Sequence, residues 1–552
     1  MIIRKAFSSI VLALCVLVSF AQNHHSRFES IDVQHYKFEI HLNDTTNRIE
    51  GTAAISIKFL QAANDITLDL VNKSGDNGML VYSIQKDGND LDFKQANNKL
   101  EILLNEQVQA GSVVKFYVAY SGIPTDGLII SENKYGKRTF FGDNWPDRAQ
   151  YWLPCVDHPS DKATLEFLVY APEHYEVVSN GLRVEKKQLP DNMEFTHWKE
   201  DVPISTKLMV IGVADFAVGN KFKANDIPIS SWVFEENKEQ GFKNYKYGAE
   251  ALNYFSELIG PYSYEKLAHV QSKTRYGGME NATCIFYNEN TGTSDRSQEG
   301  LFAHEVAHQW FGNSVTEQNW HHVWLSEGFA TYLTNVYMQH FYGDEVFKER
   351  LKGDRERVIA YSKRNLAPII DTTVTEYIRL LNPNSYQKAN WFLHMLRIKL
   401  GDKTFFEGLQ KYYHEYQNST ALTKDFQQVM EAVSGEDLSY FFNQWLRQAG
   451  HPIFDISSET LEQKEVIIKL RQIQKGYFYR LPIDIKIIYN DKTSETKTLY
   501  MDGIKKEIEC SFDTKPGNLK IIIDPDVKLL FEANREKFMY FFGQIIDPIK
   551  KS

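Results

Sequence analysis

His304-Glu305-Val306-Ala307-His308 is followed, after an eighteen-residue spacer, by Glu327 within Trp324-Leu325-Ser326-Glu327-Gly328. Imidazoles and carboxylates are the groups that hold a zinc ion. On a helix, residues four apart stack on one face, so His304 and His308 can aim two ring nitrogens at one metal. Glu305 lies beside them and can serve as a general base in the same pocket. A catalytic zinc needs a third protein ligand and one open position. Glu327 is the natural candidate for that ligand. The chemistry implied is hydrolysis by a metal-activated water.

A lone H-E-x-x-H can also arise by chance as two surface histidines, so the flanking elements decide. Asp295, with Gln298 three residues on, reads as a helix start. Gly312 after Phe311 reads as its stop. Between them Leu301, Phe302, Val306, Trp310 and Phe311 supply an apolar surround that keeps the histidines out of open water. A second helix is expected from Leu325 to Tyr342, with Phe329, Leu333, Val336 and Tyr337 at helical spacing and Gly343 at its end. Glu327 falls in its first turn. Upstream, Gly277-Gly278-Met279-Glu280-Asn281 joins two glycines, which tolerate close backbone approach, to a carboxylate that could enter a cleft. Alone, that segment fits an ordinary turn followed by a surface glutamate equally well.

The 552-residue chain is long enough for three or four domains. From about residue 30 to 219 the pattern is β, as where Tyr36, Phe38, Ile40 and Leu42 alternate with polar neighbours. From about 240 it turns helical: Phe242–Leu258, Gln298–Phe311, Leu325–Tyr342, Lys388–Leu400, Lys403–Tyr416, Thr423–Ala432 and Asp437–Ala449. After Gly450-His451-Pro452 the alternation returns (Val466, Ile468, Leu470; Ile483, Ile485, Ile487), as in a small sandwich. The division expected is a signal peptide at 1–21, an N-terminal β domain at 22–219, a catalytic domain at 220–450, a β-sandwich at 451–530 and a tail at 531–552.

The net charge of −10 comes with no dominant basic patch, which argues against nucleic acid as a partner. Arg4 and Lys5, the apolar run Ile10–Ala21 and the small residues Ser19 and Ala21 read as an export signal cleaved before Gln22. The run is short for a bilayer span, so the expected location is periplasmic or extracellular, without a stable membrane span. Past that segment Cys155, Cys284 and Cys510 are odd in number and far apart, which is no disulfide framework.

Taken together, these residues resemble peptidase family M1, the aminopeptidase N family of gluzincin metallopeptidases. The resemblance rests on H-E-x-x-H with Glu327, on Trp324–Ala330, on Gly277–Asn281 as the exopeptidase motif, and on Pro154-Cys155-Val156-Asp157-His158-Pro159 with Lys162-Ala163-Thr164. It also rests on Tyr386 in Ser385-Tyr386-Gln387-Lys388. His158, Gln387 and Ala389 depart from the family's common residues. The resemblance implies an α+β multidomain fold: an antiparallel, saddle-like β domain, a thermolysin-like mostly helical catalytic domain and a small β-sandwich. It implies one zinc ion per chain on His304, His308 and Glu327, with Glu305 as base and Tyr386 as oxyanion donor. Gly277, Gly278, Met279, Glu280 and Asn281 would bind substrate, with Glu280 gripping the free N-terminus of a peptide. Asp143 or Asn144 is a candidate second grip on that amine. The large helical domain that caps many relatives is not in the sequence, so a more open cleft is expected. The alternatives are a thermolysin-type endopeptidase, a leukotriene-type epoxide hydrolase with aminopeptidase activity, and an inactive binding protein.

Overall fold

The computed structural model describes residues 27–534, apart from 294, 462–464 and 514–518. The expected signal segment, His24, His25 and all of the tail beyond Asn534 lie outside these residues. The architecture is α+β and multidomain. Two compact units are present: residues up to Asn319 with Tyr416–Ala421, and Trp320–Glu415 with the residues from Leu422 onward. The division falls inside the 220–450 stretch that the sequence pattern assigns to one domain.

In the first unit, an eight-stranded sheet is built around Ile31–His41. Tyr36, Phe38 and Ile40 are fully buried while Lys37 and Glu39 face outward, as period-two alternation requires. This strand pairs antiparallel with Ile49–Phe59, and parallel with Lys162–Pro172. The sheet is thus mostly antiparallel, as expected, with one parallel pair. Parallel neighbours need a long crossover, here the whole chain between His41 and Lys162.

A five-stranded sheet follows, in the order Phe216–Ala224, Ile227–Phe234, Leu267–Ser272, Cys284–Asn288, Gly278–Met279. Its three inner strands are parallel. Leu267–Ser272 is buried along its whole length, the near-continuous burial typical of parallel strands covered on both faces. Gly278–Met279 is the edge strand, antiparallel to Cys284–Asn288. The helix Glu299–Ala307 packs against Tyr247–Leu258 and along this edge. The expected single helix Phe242–Leu258 is two, Lys238–Tyr245 and Tyr247–Leu258.

In the second unit, the helices Trp324–Tyr342, Asp344–Ser362, Ala389–Leu400, Asp402–Tyr416 and Thr423–Ser434 precede a β-sandwich. Gly343, at φ 87°, ends the first of them in a conformation that glycine adopts without strain. The sandwich has one sheet of four strands and one of three. Glu532–Asn534 pairs in parallel with Ile453–Leu461, so the sandwich extends past the expected boundary at 530.

Candidate metal centre

The helix Glu299–Ala307 starts as its sequence suggests. The Asp295 side chain accepts from the Ser297 backbone N–H and caps the turn that leads into it. His304 and His308 then meet on one face, with Nε2 atoms 3.1 Å apart. Two ligands on a tetrahedral zinc, each about 2.05 Å from it, would sit about 3.3 Å apart. His308 Nδ1 donates to the Phe311 carbonyl at 3.2 Å. That bond fixes the tautomer and leaves Nε2 as the lone-pair donor. The pair thus fits a zinc ion in both spacing and protonation.

Glu305 is buried beside the pair, and Gly278 explains how it fits. A Cβ added at Gly278 would come within 2.4 Å of Glu305 Oε1, whereas one at Gly277 would meet nothing nearer than Leu301 at 3.6 Å. Of the two glycines, only Gly278 is sterically demanded. Glu280 follows on the same edge, and its carboxylate, that of Glu305 and a His308 nitrogen lie within 4.8 Å of one another. Glu280 is 5% exposed and its Oε1 has no hydrogen-bond partner among the described residues. Leaving a buried acceptor unsatisfied costs about 1–3 kcal/mol, more when it is charged. A cationic ligand would relieve that cost. Both polar atoms of the Asn281 side chain are likewise buried, with no hydrogen-bond partner among the described residues.

The edge strand is held to the helix by residues that sequence reasoning did not single out. Gln309 Nε2 donates to the Glu280 carbonyl at 2.9 Å, and its Oε1 accepts from the Thr283 N–H at 3.1 Å. Asn313 Nδ2 donates to the same Glu280 carbonyl at 2.6 Å. Thr283 adopts φ 62°, uncommon for a β-branched residue. Its Oγ1 accepts from Gly181 N and its carbonyl from Ala268 N. The signal was present in the sequence: both amides follow H-E-x-x-H directly, within Gln309-Trp310-Phe311-Gly312-Asn313.

Asp143 and Asn144, the candidate second grip on the amine, are both fully buried. Asp143 pairs with Arg148 at 2.5 Å. Asn144 donates to the Thr206 and Met209 carbonyls and accepts from the Trp152 indole. Their polar atoms are taken up by the fold.

In the second unit, Glu327 lies buried in the first turn of Trp324–Tyr342. Gly328 abuts Ala389, where an added Cβ would come within 2.5 Å of the alanine methyl. Ala389, one of the departures from the family pattern, is thus matched by the glycine facing it. Tyr386 lies half-buried in a π-helical turn, Asn384–Lys388. His321 donates to the Val374 carbonyl and His322 lies 2.7 Å from Thr423 Oγ1. Burial pulls the His322 imidazole down to about 4. Both are structural.

Two family profiles match the sequence: "Peptidase M1 N-terminal domain" over residues 32–208 and "Peptidase family M1 domain" over residues 244–445. The chain belongs to peptidase family M1. Among M1 relatives, a glutamyl aminopeptidase of Homo sapiens is 26% identical over 448 residues, covering 77% of this chain and 46% of that protein. The "Probable aminopeptidase 2" of Sulfurisphaera tokodaii is 24% identical over 519 residues, covering 88% of this chain and 62% of its own. The chain thus spans roughly half to three-fifths of the curated relatives it matches. A solved M1 zinc metallopeptidase from Deinococcus radiodurans superposes with TM-score 0.67 at 23% identity, over 77% of this chain and 95% of that one. It shares the fold.

Proposed function

We propose that this M1 chain is a zinc-dependent aminopeptidase, releasing the first residue of peptides with a free N-terminus. The observation that carries the reading is Glu280: a buried carboxylate with an unsatisfied oxygen, within 4.8 Å of Glu305 and a histidine of the metal pair. His304, His308 and Glu327 would hold one zinc ion. Zinc supplies Lewis acidity and brings a bound water's pKa to about 7. Glu305 takes the proton of the attacking water on its carboxylate and passes it to the departing amine. The Glu280 carboxylate accepts from the substrate ammonium, a charge-assisted bond worth about 1.5–3 kcal/mol. An internal peptide segment brings no ammonium and leaves that carboxylate unsatisfied, so the first peptide bond is selected. The Tyr386 hydroxyl donates to the oxyanion that forms as water adds.

The test is hydrolysis of aminoacyl fluorogenic amides, with and without a chelator, beside one peptide offered with a free and with an acetylated N-terminus. Activity lost to the chelator, restored by zinc and blind to the acetylated peptide is expected. Equal cleavage of the two peptides overturns the reading in favour of an endopeptidase. We also propose that the protein is exported, on the strength of the charged and apolar stretch Arg4–Ala21. Among the described residues no helix is long and apolar enough to cross a membrane. N-terminal sequencing of the protein recovered from outside the cytoplasm, starting at Gln22, would support export.

A further inference from the structure

Behind Glu280 lies a buried ion pair with no part in the chemistry above. Lys207 Nζ and Glu317 Oε1 are 2.5 Å apart, and the two side chains are 1% and 0% exposed. Lys207 lies in the turn Thr206–Leu208, directly after the strand Met193–Ser205 of the eight-stranded sheet. Glu317 ends the short strand Val315–Glu317. A fully buried pair adds little net stability, because desolvation offsets most of the attraction. Its second oxygen, Glu317 Oε2, has no hydrogen-bond partner among the described residues. Burial lifts the Glu317 carboxyl above its usual range, Lys207 pulls it back, and the charge of Glu280 lifts it further.

The segment that Lys207 holds also holds Glu280. Asn313, four residues before Glu317, donates to the Glu280 carbonyl at 2.6 Å. The carbonyls of Asn313 and Ser314 accept from Lys162 Nζ at 2.9 and 2.7 Å. Asn313–Glu317 is thus pinned at one end by Lys162 and at the other by Lys207, and the Asn313 amide fixes the backbone at Glu280. We propose that Lys207 is a positioning residue for the amine subsite, acting through Glu317 and Asn313 to keep Glu280 aimed at the substrate ammonium. A buried carboxylate that loses its counter-ion either takes up a proton or moves toward water. Either change at Glu317 alters how Asn313–Glu317 is held, and the Asn313 bond to Glu280 depends on that segment.

This inference rests on the aminopeptidase reading, so the experiment separates the two. Two quantities are measured: KM and kcat on an aminoacyl amide, and the affinity of zinc-free protein for an amino alcohol against its N-acetyl form. Lys207→Met should raise KM and the amino-alcohol Kd about tenfold, the loss of one charge-assisted bond. Zinc stoichiometry should hold and kcat should change far less. Glu317→Gln added to Lys207→Met should restore most of both, since the stranded charge is gone; a merely structural lysine would give additive losses. If Lys207→Met alone does not fold, the double variant and Asn313→Ala carry the test. Wild-type KM in the double variant and raised KM in Asn313→Ala support the proposal, and wild-type KM in Asn313→Ala overturns it. Additive effects, or kcat and zinc falling together with affinity, also overturn it. A wild type indifferent to acetylation sinks the aminopeptidase reading. A wild type that discriminates, with Lys207→Met discriminating equally well, sinks only this inference.

Discussion

The helices Glu299–Ala307 and Trp324–Tyr342 each carry residues assigned to the metal, and they are held in place by different means. The first has nine residues. Its apolar face is packed, with Phe302 4.8 and 5.4 Å from the Tyr287 and Tyr245 rings, but it is also fastened by polar contacts from outside its own turns: the Asp295 cap, the Gln309 and Asn313 amides, and Lys162 on the carbonyls beyond its end. The second has nineteen residues and is buried continuously from Trp324 to Ala330. Trp324 and Phe329 pack with Phe392, Tyr412 and Phe426 at ring-centroid distances of 5.1–6.2 Å. Packing places a helix but tolerates small shifts. Hydrogen bonds with defined donors and acceptors fix its rotation, which two converging imidazoles and a base require.

Substitutions should divide along the same line. The largest effect belongs to Glu305→Gln, expected to lower kcat by about 10²–10⁴ with zinc content unchanged; near-normal turnover would remove Glu305 as the base. Gly278→Ala comes next. Its methyl would crowd Glu305 Oε1, and misplacement of about an ångström can cost about 10² in rate. Thermal unfolding should move little, and a melting loss matching the activity loss would mean that Gly278 serves packing alone. Gly328→Ala should do the reverse, overpacking against Ala389 at about 1–3 kcal/mol in denaturant titrations while kcat per zinc-loaded molecule holds.

The smallest effect is elsewhere in the N-terminal β region, where Asp69 accepts from both terminal guanidinium nitrogens of Arg27 at 3.0 and 2.9 Å and pairs with Lys99. Despite burial, these cations pull its carboxyl down to about 2, below the usual value of about 3.9. The stabilisation is therefore whole above the usual value and lost as pH falls toward 2. Unfolding titrations at pH 6 and pH 3 should differ less in Asp69→Asn than in the wild type, and an equal difference would deny Asp69 that role.

What was legible in the sequence was whatever repeats at short range. Tyr36, Phe38 and Ile40 marked a strand, His304 and His308 a helix face, and Gly343 a helix end. Asp344–Ser362 escaped because its buried positions include Lys352, Asp354 and Arg355, so apolar spacing understates it. The partners of Asp143 and Asn144, which include Arg148, Thr206 and Met209, could not be read from the sequence because tertiary structure fixes them. Lys207 and Glu317 are separated by 110 positions, and no local pattern joins them. Gln309 stood in plain view beside His308, but only the strand it faces gives it a purpose.

That neighbour relation has a consequence. Gln309 follows His308 directly in the chain, and its one amide grips the backbone on either side of Asn281 and Ala282. If Glu280 holds the substrate amine as proposed, the spacing between the bond to be cut and the terminus to be recognised is written into a single peptide linkage. Such an arrangement works as a ruler one residue long. Slipping its register would require turning the helix itself, so a loosened cleft elsewhere could admit larger substrates without changing where they are cut.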